Sequence, residues 1–417
     1  MPHSPAPADL IDSRYALWRL IISLLVMLMG SSCMFAVAVV LPQVQADFGV
    51  SRSEASLPYT LMMVGFGVGG LFMGRVVDRY GVSVALLIGS GGILLGFLWS
   101  SVSEGIVGFT LAHGLFLGLL GTSATFAPLV ADTSLWWNKR RGIAVAVCAS
   151  GNYLAGAVWP NIANWGIDSV GWRETYFWMG IVCSASMALL SLLLRRRPPL
   201  SVSTPSASTG VVASSRPFGL STGHAQTLLI IAGLSCCVAM AMPQVHIVAY
   251  CVDLGFGAAR GAEMLSLMLG FGVVSRLLSG VICDRIGGIR TLLLGSLLQG
   301  IALLMFLPFD GLVSLYVISA VFGLFQGGIV PSYAIIIREH FLPAETGRRV
   351  GAVIMATMLG MALGGWLSGY IFDLTGSYDF ALLNGVAWNA VNLSIVLWLL
   401  WRLKTRASPL MSAVSTG

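Results

Sequence analysis

Long apolar runs separated by short polar turns dominate this chain. An apolar helix of about 20 residues spans the roughly 30 Å of hydrocarbon in a bilayer, whereas a membrane barrel would alternate apolar and polar residues. The pattern therefore predicts an all-α polytopic membrane protein with twelve transmembrane helices, surrounded by lipid. The runs begin near Leu17, Ala55, Val82, Ile106, Ile143, Trp172, Ala225, Gly261, Thr291, Leu312, Val350 and Leu382.

Composition agrees with a membrane location. Hydrophobic residues make up 57% of the chain and charged residues only 10%, whereas about a quarter of the residues of soluble domains are charged. The seven cysteines lie mostly inside apolar runs and lack the spacing of metal ligands. We expect them to be small core residues, and we predict no cofactor and no metal.

The distribution of Lys and Arg predicts the orientation of the helices. If the N-terminus is inside, 19 of the 23 basic residues fall in cytoplasmic segments, and short loops rich in Lys and Arg remain cytoplasmic. The outer loops then contain only Arg52, Arg173 and Arg260. We therefore expect both termini to be cytoplasmic and the protein to lie in the cell inner membrane. The basic isoelectric point reflects this topology, so no nucleic-acid partner is predicted.

A polar segment divides the chain into two sets of six helices. Residues 195–224 begin with three arginines and two prolines and continue with Ser, Thr, Ala and Pro, a composition typical of a flexible linker. The predicted organisation is a cytoplasmic tail at 1–15, a six-helix bundle at 16–194, the linker at 195–224, a second six-helix bundle at 225–404 and a cytoplasmic tail at 405–417.

The two halves repeat each other in sequence. The pattern GxxxDRxG occurs at residues 74–81 and again at residues 280–287, and Asp78 and Asp284 differ by 284 − 78 = 206 positions. Asp132 and Glu339 correspond at nearly the same offset, 339 − 132 = 207. Internal repeats of this kind are typical of transporters that bind their substrate between two related bundles.

These features resemble the major facilitator superfamily over essentially the whole chain. Residues 136–142 (WWNKRRG), the spacing of Gly151 and Gly156, residues 243–246 (PQVH) and Arg276 are further similar to the monocarboxylate transporter branch. Helix 1 has no lysine and Gly272 precedes Arg276 by four residues, so the lysine-mediated proton coupling of animal members is not carried over.

The resemblance implies a gating role for the repeated turns, which would latch the cytoplasmic side when the transporter faces outward. Glycine allows close helix approach, and a carboxylate at a helix end can meet an arginine or a helix N-terminus. The alternative is that these turns are basic loops that only set the topology. The gating residues expected from the resemblance are Gly74, Asp78, Arg79, Gly81, Asp132, Gly280, Asp284, Arg285, Gly287 and Glu339.

Arg276 is the one basic residue in the interior of an apolar run, and a charge in hydrocarbon is costly enough to suggest a function. At 1.5 Å per residue it lies roughly 12 Å from Asp284. Every acidic residue falls at a helix end or in a loop, so we expect its partner to be a substrate carboxylate gripped by two hydrogen bonds. No second basic residue lies in the interior, which favours a monocarboxylate. The alternative is an arginine that caps backbone carbonyls or reaches the inner interface.

Other polar and aromatic residues would complete the substrate cavity. His246, in the outer part of helix 7, would bind substrate or carry a coupled proton; the alternative is a hydrogen bond to a neighbouring helix. A few polar groups among aromatic walls are typical of ligand sites, although each residue alone is also compatible with packing or an interhelical hydrogen bond. The further candidates are Gln326 and Tyr333 in helix 10, Phe35 in helix 1 and Asn152 in helix 5.

The sequence as a whole favours a secondary active transporter that moves a small organic monocarboxylate anion by alternating access, with a proton as coupling ion and one chain as the functional unit. A drug/proton antiporter or another organic-anion exchanger of the same fold is the alternative. Such exporters usually carry an arginine in helix 4 and a Gly-Pro pair in helix 5, and both are absent. A membrane enzyme is disfavoured because no nucleophile–base or metal constellation is visible, and a nontransporting sensor is disfavoured because no appended signalling domain is predicted.

Overall fold

The computed structural model describes residues 10–197, 217–342 and 345–414. The central part of the predicted linker, residues 198–216, and the ends of both predicted tails, residues 1–9 and 415–417, lie outside this description. At the edges of those segments, helix 7 begins at Thr222 and helix 12 continues to Val414.

Twelve helices in the described residues are long and apolar enough to cross a membrane. Each begins at most a few residues from its predicted start, so the predicted all-α fold is confirmed. Their bounds are α1 Arg14–Phe48, α2 Arg52–Tyr80, α3 Val82–Ser101, α4 Ile106–Leu135, α5 Arg141–Val170, α6 Trp172–Leu193, α7 Thr222–Asp253, α8 Ala258–Ile286, α9 Gly288–Met305, α10 Leu312–His340, α11 Thr346–Thr375 and α12 Tyr378–Val414.

Local sequence explains where several helices begin and end. At the start of α2, the Ser51 hydroxyl accepts a hydrogen bond from the Glu54 amide at 3.3 Å, and the Glu54 carboxylate accepts one from the Ser51 amide at 2.9 Å. This reciprocal pair satisfies two amide groups that the helix leaves free. The last glycine of each GxxxDRxG pattern has a positive φ, 91° at Gly81 and 82° at Gly287, a conformation that side chains with a Cβ rarely adopt. These glycines allow the tight turns from α2 to α3 and from α8 to α9.

The helices form two six-helix bundles with the same internal packing. In the first bundle α1 packs on α5, α2 on α4 and α3 on α6, and in the second bundle α7 packs on α11, α8 on α10 and α9 on α12. The bundles meet along two seams, α2 against α11 and α5 against α8. Because the repeat exchanges one seam with the other, the sequence repeat corresponds to a pseudo-twofold arrangement of the bundles.

The molecule has two differently packed ends. We call the end that carries the α2–α3 and α8–α9 turns the terminal face, because α1 begins and α12 ends there, and the other end the distal face. On the terminal face Asp78 and Asp284 are exposed, and a Cβ added at Gly74 or Gly280 would meet open space. On the distal face Arg52 of the first bundle is bonded to residues of the second bundle. The bundles are therefore joined at the distal face, and their two repeated turns stand free at the terminal face.

Glycine permits direct backbone contact between α8 and α10. A Cβ at Gly323 would lie 1.9 Å from the carbonyl oxygen of Met268. We expect Gly323→Ala to destabilise the fold by about 1–3 kcal/mol, because overpacking at this site would push two backbones apart. Thermal unfolding in detergent measures the effect. The control is Gly270→Ala in α8, whose added Cβ would lie 3.7 Å from the Ala157 Cβ; equal stability of the two variants would contradict the prediction.

Candidate functional site

Arg276 lies at the seam between the two bundles and is bonded to both. Its Nη1 donates to the carbonyl of Ala149 in α5 at 2.7 Å, and its Nε donates to the carbonyl of Gly327 in α10 at 3.4 Å. The guanidinium carbon is 4.2 Å from the centre of the Tyr153 ring. Within the described residues no carboxylate pairs with this arginine. Both of these hydrogen bonds go to backbone carbonyls, as expected for the alternative in which Arg276 caps carbonyl groups.

A break in α10 creates one of these two acceptors. The helix is interrupted at Gly327 and Gly328, between the segments Leu312–Gln326 and Ile329–His340, and interrupted helices leave carbonyl groups without intrahelical partners. A Cβ at Gly327 would lie 2.4 Å from the carbonyl oxygen of Gly272. Pro331, four residues after Gly327, has no N–H to donate to the Gly327 carbonyl. The absence of a side chain at Gly327 lets this carbonyl approach α8 at the level of Arg276.

The guanidinium keeps donors that the protein does not use. Nη1 uses one of its two N–H groups for Ala149, and the Tyr153 hydroxyl is a further hydrogen-bond partner of the guanidinium. The side chain is 9% exposed rather than fully enclosed. The Nη1–Nη2 edge is the one that grips a carboxylate with two parallel hydrogen bonds, so the arrangement is chemically suited to bind an anion.

Tyr153 is a member of this site that sequence reasoning did not select. Its ring packs against the guanidinium face of Arg276, an attraction that strengthens where water is excluded, and also fills the space beside Gly272. The sequence feature that could have indicated Tyr153 is its position in α5, one residue after the predicted cavity residue Asn152 and one helical turn after Ala149. Cross-seam packing, which the sequence does not display, is what identifies it.

Two predicted cavity residues, Asn152 and Phe35, connect α5 with α1. The Asn152 amide donates to the Ser31 hydroxyl at 3.3 Å, at the point where α1 is irregular between Gly30 and Ser32. The Phe35 ring lies 2.9 Å from the position that a Cβ at Gly156 would occupy. Both residues therefore lie between α1 and α5 inside the first bundle, within about one helical turn of Tyr153.

The two predicted residues of α10 have different surroundings. Gln326 is adjacent in sequence to Gly327; its Oε1 accepts a hydrogen bond from Gln244 of α7 at 2.8 Å, and its Nε2 is buried without a partner among the described residues. The Tyr333 hydroxyl donates to Asn392 of α12 at 3.0 Å. Gln326 thus keeps an unused donor, whereas the Tyr333 hydroxyl is engaged inside the second bundle.

His246 belongs to the distal face and makes none of the contacts of Arg276. Its Nε2 lies 2.8 Å from the Gly365 carbonyl, and its Nδ1 lies 3.1 Å from the Tyr378 hydroxyl. A carbonyl only accepts hydrogen bonds, so Nε2 carries a proton and donates. These contacts are hydrogen bonds to neighbouring helices, the alternative considered for this histidine.

The predicted gating residues divide into paired and exposed groups. Asp132 of α4 accepts a hydrogen bond from Arg19 of α1 at 2.8 Å, and both side chains are buried. Its repeat partner Glu339 instead accepts from the Gly288 amide at 3.2 Å, at the first residue of α9. The exposed residues of the two turns are Asp78, Arg79, Asp284 and Arg285. A latch role for these residues remains a prediction.

Solved transporter structures have the same architecture. The nucleoside transporter NupG, in the form of a point mutant, aligns with a TM-score of 0.71 at 12% sequence identity over 93% of this chain and 100% of that chain. A bacterial homologue of the human lysosomal transporter Spinster, in an inward-facing and occupied conformation, aligns with a TM-score of 0.68 at 12% identity over 94% and 98% of the two chains. At such identity the likeness concerns the fold alone.

Sequence relatives are also transporters. Monocarboxylate transporter 13 of Rattus norvegicus is 29% identical over 69% of this chain and 67% of its own length. The MFS-type transporter pynF of Aspergillus niger is 25% identical over 68% of this chain, and the match spans 63% of the length of that relative. The Major Facilitator Superfamily model matches residues 20–317 and 264–413. Together with twelve helices in two repeated bundles, this match identifies the chain as a multi-pass membrane protein that belongs to the Major Facilitator Superfamily.

Proposed function

We propose that this protein moves a small organic monocarboxylate across the cell inner membrane by alternating access, with Arg276 as the anion site. The terminal face is cytoplasmic in this proposal, because the basic residues concentrate on that side and such loops are retained inside. Relatives named as monocarboxylate transporters support the substrate class. One chain is the functional unit, since each bundle supplies residues to the seam.

The observation that carries the proposal is a buried guanidinium without a carboxylate partner among the described residues. Arg276 donates to Ala149 of the first bundle and to Gly327 of the second, and its further partner is the Tyr153 side chain, so no carboxylate is among its partners in the described residues. A buried cation is expensive unless an anion or several hydrogen bonds compensate it. A substrate carboxylate at the Nη1–Nη2 edge supplies that compensation, and Tyr153 behind the guanidinium fixes the plane in which the anion binds.

The two ends of the molecule support alternating access. The bundles are joined at the distal face by Arg52, and their GxxxDRxG turns are separate at the terminal face. Rocking of the bundles around Arg276 would open the distal face and bring the turns of Asp78 and Asp284 against the opposite bundle. Because Ala149 and Arg276 belong to different bundles, a substrate that takes over the guanidinium weakens one bond across the α5–α8 seam.

A proton is the coupling ion in this proposal. It offsets the charge of the transported anion and supplies a driving force, and the described residues place no acid beside Arg276 that would carry it. The proton therefore travels on His246 or on the substrate itself. Anion exchange and facilitated diffusion without a proton are the competing modes.

Uptake by proteoliposomes tests the proposal. We expect labelled small monocarboxylates to accumulate when the side of the distal face is more acidic, and to equilibrate without accumulation when an ionophore removes the pH gradient. Labelled dicarboxylates and a cationic drug are the comparison substrates. Transport of the cation in exchange for protons, with no carboxylate uptake, would contradict the proposal and favour the antiporter alternative.

A further inference from the structure

The distal face contains a network of hydrogen bonds that joins the two bundles through one arginine. Arg52, the first residue of α2, is buried, and its Nη2 donates to the Asp253 carboxylate of α7 at 3.1 Å. Its Nη1 donates to the Tyr378 hydroxyl of α12 at 3.2 Å. Arg52 is the only member of the first bundle among these side chains. The bonds of Arg52 to Asp253, Tyr378 and Asp373 cross between the bundles and would break if the distal face opened.

The N-terminus of α2 is held by the same group of residues. The Asp373 carboxylate of α11 accepts hydrogen bonds from the backbone amides of Arg52 and Ser53, both at 2.8 Å. Amides at a helix N-terminus lack intrahelical partners and carry a partial positive charge, which favours a carboxylate there. Asp373 therefore acts as a cap for α2 that is supplied by the opposite bundle.

His246 extends this network into the second bundle. Because its Nε2 donates to the Gly365 carbonyl, Nδ1 of the neutral ring is an acceptor, and the Tyr378 hydroxyl donates to it. The Tyr378 hydroxyl in turn accepts from Arg52. Arg52 thus donates to the Tyr378 hydroxyl, and the Tyr378 hydroxyl donates to Nδ1 of His246. This order requires that His246 be neutral, because a protonated Nδ1 cannot accept a hydrogen bond.

We infer that Arg52, Asp253, Asp373, Tyr378 and His246 form a lock on the distal face that is closed when His246 is neutral and released when His246 takes up a proton. The inference rests on the proposed function for its direction, since the distal face is the outer one there. A proton on Nδ1 would point at a hydroxyl that already accepts from Arg52, and would add a second cation beside the guanidinium. Both effects oppose closure.

The surroundings of His246 define which other groups respond to pH. The ring is packed among α7, α11 and α12, with Arg52 of α2 and Asp373 of α11 as the charged groups that act on it. Arg52 repels a proton on the ring, and Asp373 attracts one. The other titratable groups on the adjoining helix ends are Tyr250 and Asp253 of α7, Tyr378 and Asp379 of α12, Arg260 and Glu263 of α8, and Asp47 of α1.

The lock is reachable from the distal side. A surface pocket open on that face is lined by Pro42, Gln45, Gly49, Arg52 and Val252. The Asp253 side chain is 32% exposed, whereas Arg52 is 8% exposed. Water at the distal face therefore meets the lock at Arg52 and Asp253, from which Tyr378 connects to the buried ring of His246. External protons are the ones expected to release it.

Electron paramagnetic distance measurement on the full chain tests this inference without substrate. Spin labels at Val102→Cys of the first bundle and Val313→Cys of the second report opening of the distal face, because these residues are 72% and 75% exposed. The seven native cysteines are all buried and would label slowly. As the pH falls from 8.0 to 5.5, we expect the longer distance to gain population, by up to about tenfold in the open-to-closed ratio per pH unit for one linked proton.

Substitutions in the labelled protein separate the lock from other effects of pH. His246→Gln, whose amide retains a donor for the Gly365 carbonyl, is expected to stay closed at both pH values. Tyr378→Phe is expected to raise the open population at pH 8.0 and to reduce the pH response. Tyr250→Phe is the matched control, since its ring packs edge-on against Tyr378, and it should respond like the parent protein.

The result also distinguishes the lock from the anion site. Arg276→Ala is expected to keep the pH response, so failure of substrate binding at Arg276 would leave the lock standing. A distance distribution that is the same at pH 8.0 and 5.5 would overturn the inference, and so would a His246→Gln protein that responds to pH as the parent does. If His246→Gln does not fold, a Tyr378→Phe protein that responds to pH as the parent does would also overturn the inference.

Discussion

Replacing Arg276 by alanine is expected to weaken monocarboxylate binding about 100-fold or more, because hydrogen bonds to charged groups contribute about 1.5–3 kcal/mol each and two would be lost. Arg276→Lys keeps the positive charge but loses the planar edge formed by Nη1 and Nη2, so an intermediate loss of about tenfold is expected. Equilibrium binding of a labelled monocarboxylate to purified protein, together with uptake by proteoliposomes, measures both variants.

The control for Arg276 lies on the same helix. Arg260 of α8 is exposed and paired with Glu263, so Arg260→Ala removes one positive charge from α8 without touching the seam and should bind substrate normally. Thermal unfolding of all three variants separates lost binding from lost folding, since Arg276 also donates to Ala149 and Gly327. Normal substrate binding by a folded Arg276→Ala protein would refute the anion site.

The neighbour of Arg276 gives a finer test of the same site. Tyr153 contacts the guanidinium through its ring face. If the ring orients Arg276, Tyr153→Phe should retain most of the binding, whereas Tyr153→Leu should lose a part of it that corresponds to about 0.5–2 kcal/mol of cation–π attraction. Equal binding by the phenylalanine and leucine variants would assign Tyr153 to packing alone.

The second large effect is expected at the ion pair of Arg19 and Asp132. The two side chains are 2% and 5% exposed, and the Arg19 guanidinium also lies 4.3 Å from the centre of the Trp136 ring. Removing the Asp132 carboxylate leaves the buried Arg19 charge with only the Trp136 ring and the Arg196 carbonyl as partners, and breaking a buried ion pair costs about 3–5 kcal/mol. Asp132→Ala should therefore lower the thermal stability strongly, as measured by unfolding in detergent.

Two further variants define the origin of that loss. The double variant Arg19→Met with Asp132→Leu replaces both charges by apolar side chains and should recover most of the stability, since buried ion pairs are often no more stable than apolar replacements. Glu339→Gln is the matched control at the repeat position, because Glu339 caps the Gly288 amide and is only partly buried. A loss for Glu339→Gln as large as for Asp132→Ala would contradict the assigned role of the ion pair.

The fold was predictable because its causes are local and repetitive. Twelve runs of apolar residues, the glycines that end α2 and α8, and the offset between Asp78 and Asp284 all follow from the sequence without knowledge of contacts. Helix formation in a bilayer satisfies the backbone within each segment, so the number and extent of the helices do not depend on how they pack. Helix starts therefore agreed with the pattern to within a few residues.

The candidate site was predictable only in part. Arg276 was identified by its charge in an apolar run and by the position of every acid at a helix end. The hydrogen-bond acceptors of Arg276 could not be predicted from the sequence, because the Ala149 carbonyl is an ordinary backbone group in a helix more than a hundred residues away. The partner of Asp132 could not be predicted either, because the sequence alone placed Arg19 among the basic residues of the cytoplasmic segments, which set the topology.

The sequence by itself determined the membrane class, the twelve helices, the twofold repeat and the unusual position of Arg276, since these depend on residue type and spacing along one chain. Tertiary structure alone decided the partners: Tyr153 and Ala149 at Arg276, and Arg52, Tyr378 and Asp373 around His246. The physical reason is that hydrogen bonds and ring contacts act over about 3–6 Å in space, whereas the residues that make them are separated in the chain by the lengths of whole helices.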